Sequence, residues 1–248
     1  MGYEKRGFII TQRSWLRQLA AILPNRCLMC HQQITSKQSG ICRVCLNACL
    51  YQAPICLGCG REMQLQVIYC GECQRYNKLK VVAPCSYHDG LGHWVGQIKY
   101  QAQFSVIEVM VDALICRLHY LIELGFVQMP QAIITVPLHP KRLRQRGFNQ
   151  AWLIAQSLAQ KLELPLLDDV LTRQINTSPQ AGLSGKMRRK NLLDAFTLVA
   201  EIKLQRIAIV DDVVTTGTTV SEIARLLSEQ HIESQVWCLA RAEAPGLN

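Results

Sequence analysis

The hydrophobic pattern of the chain is clearest near its carboxyl end. Residues 207–210, Ile-Ala-Ile-Val, form an aliphatic run, which predicts a strand buried on both faces of a sheet. Asp211 and Asp212 follow directly, and we expect the strand to stop at these two carboxylates. A Thr-Thr-Gly-Thr-Thr segment occupies residues 215–219, and apolar residues then recur at helical spacing as far as Gln230. The pattern therefore predicts a polar loop between the carboxyl end of a buried strand and the amino end of a helix.

The rest of the chain alternates between strand-like and helix-like segments. Short aliphatic or alternating runs predict strands at residues 81–87, 132–136, 195–199 and 234–240. Apolar stripes at helical spacing predict helices at residues 13–23, 91–100, 104–124 and 147–162. Alternation of this kind predicts an α/β fold with a parallel sheet and helices on both faces. We expect this sheet domain to occupy residues 81–248 and to follow a cysteine-rich module at residues 1–80.

Eight cysteines of the amino-terminal module form four Cys-x-x-Cys pairs. Each pair presents two thiolates from a tight turn, and two pairs complete a tetrahedral zinc site. A redox pair or disulfides are the alternatives, but the sequence shows no secretory signal and no twenty-residue apolar span, which favours a cytoplasmic protein without membrane insertion. We therefore predict two structural zinc ions. The simplest assignment is sequential, with one ion on Cys27, Cys30, Cys42 and Cys45 and the other on Cys56, Cys59, Cys70 and Cys73, although spacing alone also permits an interleaved arrangement.

Four further cysteines lie outside these pairs. Cys85 and Cys238 fall in strand-like runs and Cys116 in an apolar helix, while Cys49 follows the second pair. We expect them to be small buried hydrophobic residues, and we predict no catalytic thiol.

The charge balance adds an expected partner. Lys and Arg number 27 against 18 Asp and Glu, which gives a net charge of +9. The basic residues cluster at residues 141–146 and 186–190. This distribution favours an anionic partner larger than one small phosphate. Aromatic residues make up only 6% of the chain, so few side chains are available for stacking on bases.

The predicted loop at residues 215–219 has the chemistry of an anion site. Backbone N–H groups and the helix dipole converge where a helix begins, and Gly217 lets the backbone approach a ligand closely. The two preceding carboxylates would repel a phosphate, so we expect them to bind sugar hydroxyls or Mg²⁺. These parts predict a ribose 5-phosphate site. The alternative, a threonine-rich helix cap, explains one threonine rather than four.

Residues 207–219 resemble the phosphoribosyl pyrophosphate (PRPP) motif of type I phosphoribosyltransferases, which consists of four aliphatic residues, two acids and a Thr/Gly loop. The resemblance implies a type I phosphoribosyltransferase-like fold in which Asp211 and Asp212 hold the ribose hydroxyls. It also implies that the 5-phosphate is bound by Thr215, Thr216, Gly217, Thr218 and Thr219. In that family the loop after the first core strand binds pyrophosphate, which here implicates Leu138, His139, Lys141 and Arg142. The alternative for this second loop is a basic turn exposed to solvent, with His139 as a capping residue.

Over most of its length the chain resembles the ComF family, which includes competence proteins needed for DNA uptake. The resemblance is carried by the cysteine pairs, the Arg-Gly-Phe-Asn-Gln block at residues 146–150, Arg173 and the PRPP motif. It implies a protein of natural transformation, with a zinc-ribbon module, that acts on single-stranded DNA as it enters the cell beside the DNA-uptake or helicase machinery. The candidate DNA-binding residues are Arg144, Arg146, Lys186, Arg188, Arg189 and Lys190.

Two functions stay open on the sequence. The protein either binds DNA and uses PRPP as a ligand or signal, or it transfers ribose 5-phosphate from PRPP to a nitrogen nucleophile. For a transferase, Mg²⁺ and basic residues would neutralise the departing pyrophosphate. The polar segment at residues 176–191 fits a lid over such a reaction and fits equally an arm that binds a DNA strand.

Overall fold

The computed structural model describes residues 25–35, 40–76, 79–88, 91–92, 95, 104–174 and 195–242. The chain divides into two compact units, Met1–Ala48 and Cys49–Asn248. The predicted domain division at residue 80 stays a prediction. The predicted helix at residues 13–23 and the polar segment at residues 176–191 lie outside the described residues, as do the candidate DNA-binding residues Lys186, Arg188, Arg189 and Lys190.

Helices and strands alternate along the described chain. In chain order they are α1 (Arg43–Cys49), α2 (Gly71–Arg75), β1 (Val81–Val82), β2 (Cys85–Ser86), α3 (Phe104–Glu123), β3 (Ala132–Thr135), α4 (Pro140–Arg146), α5 (Gln150–Leu162), β4 (Leu166–Leu167), β5 (Leu171–Arg173), β6 (Phe196–Leu198), β7 (Arg206–Val214), α6 (Thr218–Glu229) and β8 (Glu233–Arg241). Six strands form one sheet in the order β1, β8, β7, β3, β4, with β2 also paired to β8. Every pair in this sheet is parallel.

Both faces of β7 are covered, because its side chains alternate between two helical layers. Ile207 and Ile209 are fully buried in the cluster that contains Ile223 and Leu227 of α6. The intervening Ala208 is also fully buried and points to the opposite face, where α5 packs against β3 and β7 and α3 packs against α5. The predicted parallel sheet with helices on both faces is therefore confirmed.

The strands differ from the predictions in two respects, namely where β7 ends and which sheet contains the strand predicted at residues 195–199. β7 does not stop at the carboxylates but continues through Asp211 and Asp212, because Val213 and Val214 still pair with β8. The predicted strand at residues 195–199 forms β6, which pairs antiparallel with β5 in a separate two-stranded sheet. Phe196 of β6 is buried in the same cluster as residues of α6, so the β5–β6 pair packs on the α6 side of the main sheet.

The four cysteines outside the Cys-x-x-Cys pairs differ in burial. Cys85 and Cys238 are buried as expected, and burial raises the pKa of the Cys238 thiol to about 12. Cys116 is exposed and Cys49 is partly exposed, so the prediction of burial is wrong for both residues. Cys116 lies on the solvent-facing side of α3, which the largely apolar composition of the helix did not indicate.

Within the described part of the chain, no helix has both the length and the apolar character that crossing a bilayer requires.

Truncation of a buried side chain in β7 should destabilise the sheet strongly. Ile209 lies between β3 and β8 with no exposed surface, so Ile209→Ala should lower the free energy of unfolding by about 2–5 kcal/mol through lost contacts and a residual cavity. Val199→Ala is the control, because Val199 is 56% exposed and should cost about 0.5 kcal/mol or less. Urea denaturation of the two variants measures both values, and equal losses would contradict the placement of Ile209 in the core.

Candidate functional site

The two carboxylates of the candidate site lie within β7 and are held by the backbone that follows them. Asp211 Oδ1 accepts a hydrogen bond from the Asp212 N–H at 2.8 Å, and Asp212 Oδ1 accepts one from the Val213 N–H at 2.7 Å. Asp212 is buried and Asp211 is half-buried. Because each carboxylate is anchored through one oxygen, its orientation at the carboxyl edge of the sheet is set before any ligand binds.

The loop at residues 215–219 connects the end of β7 to α6. Gly217 has φ of 73°, in the left-handed region that favours glycine, and it is the residue that caps α6. Since glycine has no side chain, no capping side chain from this position competes for the first N–H groups of α6. The hydroxyls of Thr216 and Thr218 lie 2.8 Å apart, and Thr215 and Thr216 are exposed. The loop therefore presents hydroxyls and backbone N–H groups where an anion would bind.

The second predicted loop starts beside β7. β3 pairs with β7, and the Val136 N–H donates to the Val210 carbonyl at 3.0 Å, so residues 136–139 leave the sheet next to the carboxylates. The Nδ1 atom of His139 accepts a hydrogen bond from the Lys141 N–H at 3.2 Å and thereby caps α4. In this structure His139 is a capping residue, whereas Lys141 is exposed and Arg142 is half-buried.

The Arg-Gly-Phe-Asn-Gln block positions this second loop. Gly147 ends α4 with φ of 82°, and the Asn149 side chain caps α5 by accepting from the Ala151 N–H. The amide Nδ2 of Asn149 also donates to the Val136 carbonyl at 3.1 Å. Arg146 donates to the Gln150 side chain at 3.0 Å, so this predicted DNA-binding residue already has a partner within the block, and Arg144 is exposed.

Arg173 is a site residue that chemical reasoning on the sequence missed. It ends β5, and its guanidinium lies 5.3 Å from the ring centroid of Phe196 on the paired strand. Burial lowers the pKa of Arg173, the nearby charge of Arg142 lowers it further, and Asp211 opposes this effect. Arg173, Arg142 and Asp211 therefore share one electrostatic environment. In the sequence, Arg173 was indicated only by the resemblance to the ComF family, which assigned it no role.

The eight paired cysteines come together in two groups of four. The first zinc cluster contains Cys27, Cys30, Cys42 and Cys45, and the second zinc cluster contains Cys56, Cys59, Cys70 and Cys73. Within each cluster all Sγ atoms lie within 4.8 Å of one another, with 3.9 Å between Cys30 and Cys42 and 3.7 Å between Cys59 and Cys70. Zn–S bonds of about 2.3 Å in a tetrahedron place sulfurs about 3.8 Å apart, so both donor sets fit zinc in the sequential grouping.

Backbone N–H groups stabilise one thiolate in each cluster. Burial raises the pKa of Cys27, but N–H groups around it, among them that of Cys42 at 3.3 Å, outweigh burial and lower the pKa to about 6. Burial also raises the pKa of Cys70, and hydrogen bonds led by the Cys73 backbone lower it to about 7. Thiolates are the zinc-binding form of cysteine, so each cluster contains a ligand that ionises near neutral pH.

Removal of one ligand from either cluster should release one metal ion. Protein purified under reducing conditions should contain two zinc ions per chain, and Cys27→Ser and Cys70→Ser should each contain one, because three thiolates bind zinc less tightly than four. Cys116→Ser should keep both, because Cys116 is an exposed residue of α3 outside the two clusters. Elemental analysis of the purified proteins gives the counts, and wild-type protein without zinc would refute the assignment.

Two domain families match the chain, one over the cysteine-rich region and one over the sheet region. A double zinc ribbon domain matches residues 18–74, and a phosphoribosyl transferase domain matches residues 149–243. A solved hypoxanthine phosphoribosyltransferase from Staphylococcus aureus aligns with a TM-score of 0.32 and 14% identity over 54% of this chain and 62% of that chain.

Two of the relatives described here match over almost their whole length, and a third matches over about two thirds. Competence protein F of Haemophilus influenzae is 36% identical over 230 residues, which cover 88% of this chain and 97% of that protein. The DNA utilization protein YhgH of Escherichia coli K12 is 33% identical over 224 residues, or 88% of this chain and 98% of that protein. Competence protein ComFC of Streptococcus pneumoniae is 26% identical over 64% of this chain and 69% of that protein.

Proposed function

The chain belongs to the family of competence protein F and the DNA utilization protein YhgH, and we propose that it serves DNA uptake by binding both PRPP and single-stranded DNA. A cytoplasmic location is part of this proposal, because eight reduced thiols grouped for zinc persist in a reducing compartment. The names of the relatives support the role in DNA uptake. Binding of PRPP is argued from the candidate site, and binding of DNA from the distribution of charge.

The observation that supports PRPP binding is that two carboxylates and the loop at residues 215–219 lie together at one edge of the sheet. Ligands of open α/β sheets bind at the carboxyl ends of the strands, where β7 delivers Asp211 and Asp212 and the loop at residues 215–219 leads into α6. In the proposed complex the loop holds the 5-phosphate, and the carboxylates hold the ribose hydroxyls or Mg²⁺. Lys141 and Arg142 on the neighbouring segment would face the pyrophosphate.

The proposal for DNA rests on exposed positive charge beside the same edge. Lys141 and Arg144 are exposed on α4, which begins directly after the second loop. A nucleic-acid backbone is a regular array of phosphates, and such exposed Lys and Arg residues neutralise it with release of counterions. The second basic cluster, at residues 186–190, extends the same proposal to a segment outside the described residues.

A transferase activity is the second candidate, favoured by the shared environment of Arg142, Arg173 and Asp211. Loss of pyrophosphate from PRPP leaves positive charge on the ribose and negative charge on the leaving group. The two arginines would stabilise the leaving group, and Asp211 would stabilise the ribose. Pyrophosphate release from PRPP and Mg²⁺, tested with a panel of nitrogen bases, distinguishes this candidate from simple binding.

Loss of one carboxylate should weaken PRPP binding. Asp212→Asn removes a charged acceptor for a hydroxyl or metal and should cost about 1–3 kcal/mol of binding free energy in calorimetry with PRPP and Mg²⁺. Asp168→Asn is the control, because Asp168 is exposed, follows β4 and accepts a hydrogen bond from Trp152. Equal PRPP affinities for the wild type and Asp212→Asn would reject the assignment of the site.

Loss of two arginines should separate the two candidate functions. If residues 186–190 bind a DNA backbone, Arg188→Ala combined with Arg189→Ala should lower affinity for single-stranded DNA and flatten its salt dependence, since fewer counterions are released. PRPP affinity should stay unchanged. Fluorescence anisotropy with a labelled oligonucleotide at several salt concentrations measures both effects.

The control for this double variant is Lys203→Ala. Lys203 is exposed and precedes the amino end of β7, at the opposite edge of the sheet from the candidate site. A double variant with wild-type DNA affinity at physiological ionic strength but without pyrophosphate release would favour a catalytic lid over a DNA-binding arm.

A further inference from the structure

Arg241 joins the second zinc cluster to the strand beside the candidate site. It is the last residue of β8 and only 6% exposed. Its Nη1 donates to the Leu57 carbonyl at 2.9 Å, and its Nη2 donates to the Gly58 carbonyl at 2.6 Å. Leu57 and Gly58 are the two residues enclosed by the first Cys-x-x-Cys pair of the second zinc cluster. One buried guanidinium therefore binds the turn that presents two of the four zinc ligands.

The backbone of the same arginine supports the loop at residues 215–219. Arg241 lies beside Val214 in the parallel pairing of β8 with β7, and the next residue, Ala242, donates its N–H to the Val214 carbonyl at 2.9 Å. The Arg241 carbonyl accepts from the Tyr87 N–H at 2.7 Å. Val214 immediately precedes the loop, so the end of β8 determines where the loop begins.

The turn of the second zinc cluster is held by backbone hydrogen bonds and packs closely on Arg241. The Leu57 N–H donates to the Ile68 carbonyl, and the Leu57 carbonyl also accepts from the Val81 N–H, both at 2.9 Å. A Cβ atom placed on Gly60 would lie 3.0 Å from both Cδ and Nε of Arg241. A buried guanidinium requires its acceptors, because a charged group without them is costly in the interior. If the turn changed shape, Arg241 would have to move and the end of β8 with it.

We propose that zinc in the second zinc cluster positions the loop at residues 215–219 through Arg241, so that zinc binding and phosphate-ligand binding are thermodynamically coupled. Zinc determines the shape of the turn, the turn supplies both acceptors of Arg241, and Arg241 holds the end of β8 against Val214. Arg241 is a positioning residue in this scheme. Coupling is reciprocal, so a ligand that orders the loop raises the zinc affinity of the second cluster by the factor by which zinc raises the ligand affinity. The choice of PRPP as that ligand rests on the proposed function.

Zinc affinity with and without PRPP tests the coupling directly. In competition with a chelator of known affinity, saturating PRPP and Mg²⁺ should raise the affinity for one of the two zinc ions about 5- to 100-fold. The zinc ion whose affinity PRPP raises should be lost from Cys59→Ser. It should be retained in Cys30→Ser, because Cys30 belongs to the first zinc cluster. Arg241→Lys keeps the positive charge but cannot donate to both carbonyls as the guanidinium does. In this variant, PRPP should raise the zinc affinity less than about twofold. The proposal would be overturned if PRPP raised the affinity for both zinc ions equally, or if it raised the affinity in Arg241→Lys as much as in the wild type.

Hydrogen exchange provides a test that does not depend on PRPP. In protein without ligand, Cys59→Ser should accelerate amide exchange at residues 214–219 and at Ala242 about tenfold or more, whereas Cys30→Ser should leave it unchanged. If wild-type protein fails to bind PRPP but shows this difference, the proposed function fails and the coupling stands. If exchange responds equally to both variants or to neither, the coupling fails whatever the ligand.

A matched pair of glycine variants tests the contact with Arg241 from the side of the turn. Gly60 and Gly125 have φ of 83° and 70°, so alanine introduces comparable backbone strain at both positions. The new Cβ meets Arg241 only at position 60, because nothing lies within 4 Å of it at position 125. Gly60→Ala should accelerate exchange at residues 214–219 and Gly125→Ala should not. Equal acceleration by the two variants would show that general destabilisation, not Arg241, connects the turn to the loop.

Discussion

The parallel pairing of β7 between β3 and β8 is the constraint on which the rest of the structure depends. Because all three strands run in the same direction, their carboxyl ends meet at one edge of the sheet. Three parts of the molecule that are far apart in the chain meet there, namely the second loop after β3, the carboxylates of β7 with the loop at residues 215–219, and Arg241 at the end of β8. The aliphatic side chains of β7, buried on both faces, hold this register and therefore the geometry of the site.

Polar groups at this edge are oriented by neighbours before a ligand arrives. The carboxylates of Asp211 and Asp212 accept hydrogen bonds from the backbone N–H of the next residue, and Asn149 holds the Val136 carbonyl at the start of the second loop. A preorganised site loses less conformational entropy on binding than a flexible one. The Arg-Gly-Phe-Asn-Gln block has the same positioning role, because Asn149 caps α5 and Gln150 accepts a hydrogen bond from Arg146. Arg144, outside the block, is exposed.

The two zinc clusters have the same donor set but different structural settings. The first zinc cluster belongs to the smaller unit, and the second belongs to the larger unit with the sheet. A zinc ion bound by four thiolates would have no open coordination position, so we expect the contribution of either metal to function to be structural. For the second zinc cluster, the two hydrogen bonds from Arg241 extend this structural role to the end of β8.

The sequence by itself determined those secondary-structure elements and ligand types that depend only on residues close together in the chain. The aliphatic run before Asp211, the glycine among threonines and the spacing of the cysteine pairs each specify a conformation within a few residues, so the buried strand, the loop leading into α6 and the ligand types followed from them. Tertiary structure decided where β7 ends, because pairing with β8 extends it to Val214. It also decided that β6 pairs with β5 and that the Arg173 guanidinium lies over the Phe196 ring. The link from Arg241 to Leu57 joins residues 184 positions apart. Such contacts depend on how the whole chain packs, and no local periodicity or spacing encodes them.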